Sequence, residues 1–146
     1  MAKQTALETL IELAQRETDD AAKRLGVALK AVEESEQKLT MLLGYRDDYA
    51  MRLDAAQVAG ITPMAYRNFV AFMGKLDIAI NGQREVIKHA QHKSTVEKTA
   101  WQASERKRLS YRTLNERAAI NALKLENKMD QKQMDEHAAR QAYYKR

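Results

Sequence analysis

The six residues AGITPM, Ala59 to Met64, are the one interruption in a sequence otherwise written in helix-forming residues, and the fold turns on them. A glycine at 60 can end a helix in a left-handed C-cap, a threonine at 62 can cap the start of the next, and Pro63 suits a first helical turn, where its missing N–H costs nothing. Pro63 is the single proline in 146 residues. One break between two helices is therefore predicted.

On the N-terminal side of that break, steps of four and three from Leu7 reach Ile11, Ala14, Thr18, Ala21, Leu25, Ala28, Val32, Ser35, Leu39, Leu42, Arg46, Tyr49, Leu53 and Ala56. All but Thr18, Ser35 and Arg46 are apolar. A pattern kept over so many heptads is a coiled-coil seam rather than the stripe of a globular helix. On the C-terminal side a second seam runs through Phe69, Met73, Leu76, Ile80, Gln83, Ile87, Ala90, Ser94, Glu97, Trp101, Ser104, Arg108, Tyr111, Asn115, Ala118, Ala122, Leu125 and Met129. Its middle, from Ser94 to Arg108, is polar apart from Trp101, so looser packing is expected there.

The expected fold is all-α: an antiparallel two-helix coiled-coil hairpin with a longer second helix. It forms one domain over residues 1–146, with helix 1 at about 4–58, the turn at about 59–62 and helix 2 at about 63–142. With the turn near Gly60, residue i faces roughly residue 122 − i. At ~1.5 Å per residue the two helices extend ~80 Å and ~120 Å. Such a hairpin buries a seam but encloses no pocket, which argues against catalysis. Residue 3 already faces about residue 119, so the chain beyond about Ala122 has no internal partner. Leu123, Leu125, Met129 and Met134 then lie on an uncovered amphipathic helix, and adaptable methionines on such a helix suit docking to a partner.

Composition narrows the class further. Without cysteine there is neither a disulfide framework nor a thiolate metal site. The first residues contain Glu8, Glu12 and Glu17 and no continuous apolar core, so no signal peptide is expected, and no stretch reaches the ~20 apolar residues of a membrane span. The net charge of +5 is uneven: residues 1–60 hold 8 Lys/Arg against 11 Asp/Glu, a net of −3, and residues 61–146 hold 17 against 9, a net of +8. Opposite-signed halves favour lying side by side.

A second apolar stripe flanks the seam near the turn. Leu42, Tyr45 and Tyr49 follow at spacings of three and four, as do Phe72, Leu76 and Ala79. Tyr45, Phe72 and Ala79 are off the seam, so an exposed aromatic patch of the kind used for interaction is expected there. No phosphate-binding glycine loop, catalytic triad or paired buried carboxylates are present. Glu85, His89 and His92 share a helical face but lack a fourth ligand, so no metal and no cofactor is expected. Arg106, Lys107, Arg108, Arg112 and Arg117, with Trp101 and Tyr111 nearby, make a basic helical hairpin that binds nucleic acid the rival reading. Interleaved Glu97, Glu105 and Glu116 weaken it, and nucleic acid is not expected.

Over essentially its full length the sequence resembles the FliJ family of flagellar type III export proteins. The likeness is carried by ALETL at 6–10, DDAAKRLG at 19–26, EQKLTMLLGY at 36–45 with Tyr49, the segment from Phe72 to Ile80, and above all ENKMDQKQMDE at 126–136. The resemblance implies a non-enzymatic, cytoplasmic, stalk-like coupling protein, peripheral at the inner face of the cell membrane through its partners. Its fold would be like the central stalk subunit of rotary ATPases. The implied partners are the export ATPase FliI and its regulator FliH, the export-gate membrane protein FlhA, and export chaperones. By the same resemblance Leu42, Tyr45, Tyr49, Phe72, Leu76 and Ala79 would face the gate. Leu7, Ile11 and Leu13, with Leu125 and the pairs Met129–Asp130 and Met134–Asp135, would face the ATPase ring. Lys38 and Gln83 occupy positions expected to flank the gate surface, so its polar rim differs, and 57–67 and 94–108 match the family weakly.

Overall fold

The computed structural model describes residues 2–145, with side chains from Ala6 onward; the two end residues of the expected 1–146 domain lie outside the described residues. Two helices make up the described chain, α1 over Ala2–Ala59 and α2 over Pro63–Tyr144, without a strand. The second is longer, 82 residues against 58.

The turn takes the form that its residues favour. Gly60 has φ of 91°, the left-handed region where a side chain is strained, and its N–H donates to the Gln57 carbonyl at 3.3 Å. Thr62 Oγ1 accepts from the Ala65 N–H at 3.1 Å, an N-cap bond, and Pro63 opens α2. Two backbone groups that a helix end would leave orphaned, the Gln57 carbonyl and the Ala65 N–H, are thus satisfied at the turn.

Packing separates into two compact units. One contains Asp19–Gln102, with the turn; the other joins α1 up to Thr18 with α2 from Ala103 onward. In the turn-containing unit the helices are antiparallel. Arg24 pairs with Glu97 at 3.4 Å, Arg46 with Asp77 at 2.6 Å, and Gln83 Nε2 donates to the Ser35 carbonyl at 2.8 Å. Each of these pairs falls within about one helical turn of the 122 − i relation.

The deepest residues of this unit on α1 are small: Ala21 is 0% exposed, and Ala28 and Ser35 follow at heptad intervals. Short side chains on the seam are the ones that a second helix can cover almost fully. Leu76 and Ile80 are the buried residues of α2. The larger seam residues Leu25, Val32, Leu39, Leu42, Tyr49 and Leu53 are half-buried, as are Phe69, Met73, Ile87 and Trp101. Two helices share one line of contact, so a long side chain on that line keeps one flank in water. Arg46 alone among the α1 seam positions is exposed.

In the other unit Ala14 and Thr18 are buried, and Thr18 Oγ1 returns its hydrogen bond to the Ala14 carbonyl at 2.9 Å. Leu7 and Ile11 are half-buried, as are Ser104, Arg108, Tyr111 and Asn115 on α2. Covering stops there: every residue from Glu116 to Lys145 is exposed. The partner expected for residue 119, Lys3, lies outside the described side chains.

The uneven charge of the two halves does not choose the ion pairs. Glu17–Lys107, at 3.7 Å, sets an acid of α1 against a base of α2, but the Arg24 and Arg46 pairs run the opposite way. Local register decides which charges meet. All are partly exposed, and each contributes ~0–1 kcal/mol.

Candidate functional site

The aromatic patch belongs to the turn-containing unit. Tyr49 and Phe72 stack with ring centroids 4.2 Å apart and planes at 24°, and Phe69 meets Tyr49 edge-on at 5.9 Å. The Arg52 guanidinium lies 5.8 Å from the Tyr49 centroid, within cation–π range. A shallow groove, open to solvent, is lined by Tyr49, Ala65, Asn68, Phe69 and Phe72. Of the six residues expected to face the gate, Tyr45 is 53% and Phe72 40% exposed, and Ala79 is also exposed. Leu42 and Tyr49 are half-buried, and Leu76 is buried in the seam. The heptad explains the split: Leu42, Tyr49 and Leu76 occupy seam positions, and the other three stand beside it.

The residues expected to face the ATPase fall in the other unit. Leu7 and Ile11 are half-buried, whereas Leu13, Leu125, Met129 and Met134 are at least half exposed. Asp130 and Asp135 are exposed, and Asp135 accepts a hydrogen bond from Gln131 one turn before it at 3.2 Å. The methionine face is solvent-exposed with no part of the described chain over it.

Much of the basic cluster is neutralised within the chain. Lys107 pairs with Glu17, Arg112 with Glu116 at 3.5 Å, and Arg108 makes a two-pronged contact with Glu105. That guanidinium, first by its hydrogen bonds and then by its charge, holds the Glu105 carboxyl below the usual carboxylate range. Arg106 and Arg117 border a shallow groove with Leu109, Ser110, Thr113 and Leu114. Among the described residues no group of His, Asp or Glu is arranged to hold a metal, and Glu85 pairs with Lys88 at 3.2 Å. No helix of the described residues is long and apolar enough to cross a membrane.

The sequence pattern missed the bond between Gln83 and the Ser35 backbone. The available signal was that both are polar residues in seam positions, where an uncovered amide needs a partner.

Fold and surfaces define an all-α, two-helix coiled-coil protein with exposed apolar helix faces and shallow, open grooves. The family model described as flagellar FliJ protein matches residues 3–146. A flagellar FliJ protein of Escherichia coli strain K12 is 35% identical over 145 residues, 99% of each chain, and one of Salmonella typhi is equally similar over the same shares. The chain belongs to the FliJ family. It has its role in the flagellar export apparatus and is not an enzyme. A solved chlamydial structure, described as that of a YscO homologue from Chlamydia trachomatis, superposes with a TM-score of 0.72 at 14% identity, over 94% of this chain and 90% of that one. That likeness speaks for the coiled-coil fold.

Proposed function

We propose that this chain is a cytoplasmic, stalk-like coupling component of the export apparatus, acting as a single coiled-coil domain. It binds the export ATPase FliI, with its regulator FliH, through Leu7, Ile11, Leu13, Leu125, Met129, Asp130, Met134 and Asp135. It engages the gate protein FlhA through Leu42, Tyr45, Tyr49, Phe72, Leu76 and Ala79, receives export chaperones, and reaches the inner face of the membrane only through these partners. The observation that carries the reading is the exposed stretch of α2 from Glu116 to Tyr144, whose Leu123, Leu125, Met129 and Met134 are each more than half exposed. An apolar face of that length costs solubility unless a partner covers it.

Mixing the purified chain with the export ATPase tests it. Hydrolysis and hexamer formation should rise with the full chain and not with one carrying Met129→Glu and Met134→Glu. If neither quantity responds to the unaltered chain at concentrations where the hexamer forms, the coupling role is wrong. Gate binding that survives Phe72→Ala with helicity retained would remove the second contact.

A further inference from the structure

The apolar strip beside the seam continues past the six residues named for the gate. In a heptad coil the residue just before each a position stands on one edge of the seam, and on α2 that edge reads Ala65, Phe72, Ala79 and Val86, apolar in four successive heptads. Phe72 is 40% and Val86 50% exposed, Ala79 is exposed and Ala65 half-buried. The other edge of α2, just after each d position, reads Val70, Asp77, Arg84 and Gln91 and turns polar after its first member. Tyr45 stands on the matching edge of α1, with Met41 one turn before it, both more than half exposed. The stack of Tyr49, a seam residue, on Phe72 holds α1 against this edge of α2, and antiparallel heptads put the corresponding edges of the two helices on the same side of the seam.

Charge around this strip is one-sided. Its carboxylates are already paired, Asp48 with Arg52 at 3.1 Å and Glu34 with Lys30 at 4.0 Å. Lys38 stands on the α1 edge and Lys75 three residues after Phe72. Neither has an ion-pair partner among the described residues, and both are exposed. By heptad placement, two unpaired ammonium groups therefore lie on the same side of the seam as the apolar lane of Met41, Tyr45, Phe72, Ala79 and Val86.

We propose that this lane, extended to Met41 and Val86, receives an amphipathic helix whose apolar stripe is flanked by carboxylates, with Lys38 and Lys75 reading those carboxylates. The inference rests on the reading of the patch as a docking surface and adds the chemistry of what docks. An apolar stripe on the incoming helix meets the lane as in helix-in-groove recognition, and the lysines set orientation and attraction.

The test uses two synthetic helical peptides sharing one leucine stripe, one flanked by Glu and the other by Lys, titrated onto the full chain. The Glu-flanked peptide should bind about tenfold or more tightly than the other, and less tightly as salt is added. Val86→Asp should weaken it by about tenfold, Val86→Ala by less, each with unchanged circular dichroism. Lys38→Glu with Lys75→Glu should reverse the preference toward the Lys-flanked peptide. Equal binding of both peptides, or binding indifferent to Val86→Asp and to the lysine reversal, overturns the inference. So does self-association of the free chain that Val86→Asp abolishes, which would give the lane to a second copy. Gate-protein binding that ignores Phe72→Ala while the peptide preference holds would defeat the gate assignment alone.

Discussion

Tyr49 of α1 and Phe72 of α2 lie ring on ring, 4.2 Å between centroids, and Phe72 keeps 40% of its surface in solvent. The stack both ties the helices near the turn and presents aromatic surface. A double-mutant cycle of Tyr49→Ala and Phe72→Ala should give a coupling of about 1 kcal/mol in denaturant unfolding. Leu76→Ala, in the buried seam, should cost about 2–4 kcal/mol. Phe72→Ala therefore reports on binding, and Leu76→Ala on stability first.

Ala21 has no exposed surface, so a larger side chain there must push the helices apart. Ala21→Leu should destabilise the chain by about 1–3 kcal/mol. Val27, 69% exposed on the same helix, serves as the control, and Val27→Leu should change stability by less than about 0.5 kcal/mol. Equal effects at the two positions would contradict the close approach of the backbones at Ala21.

Of the described residues, removing 123–146 deletes only exposed ones. The shortened chain should lose ellipticity in proportion to the residues removed while its unfolding free energy changes by less than about 1 kcal/mol. A large loss of stability would mean that the distal helix packs on the rest of the chain.

Glu105 titrates below the usual carboxylate range because Arg108 hydrogen-bonds its charged form. A carboxyl depressed in the folded state adds stability above its unfolded pKa, and that contribution is lost as pH falls through the folded value. The carboxyl resonance of Glu105 should have the lower midpoint in the native chain and return to the ordinary range in Arg108→Ala. A midpoint unmoved by that substitution would show that Arg108 does not hold the charge.

The order of the elements was legible from local chemistry. Gly60, Thr62 and Pro63 each take the backbone role that their residue type favours, and the four-three spacing from Leu7 to Ala56 marks the face that is covered, because a helix repeats that face whatever packs on it. Arg46 is the exception, drawn out to Asp77 because a charge gains more from a carboxylate at the surface than from a seam.

Other features required two helices in register. Ala14, Ala21 and Ala28 read simply as weak apolar residues in the sequence, yet they are the best covered in α1, since small side chains become deepest only when a second backbone closes on them. Likewise, the sequence marks Tyr49 and Phe72 as apolar near the turn, but their stacking and the separation of exposed Tyr45 and Phe72 from buried Leu76 depend on how residues far apart in the chain are juxtaposed. Spacing along one helix determined which residues share a face. Only the tertiary pairing decided which of those faces were closed and which were left for another molecule.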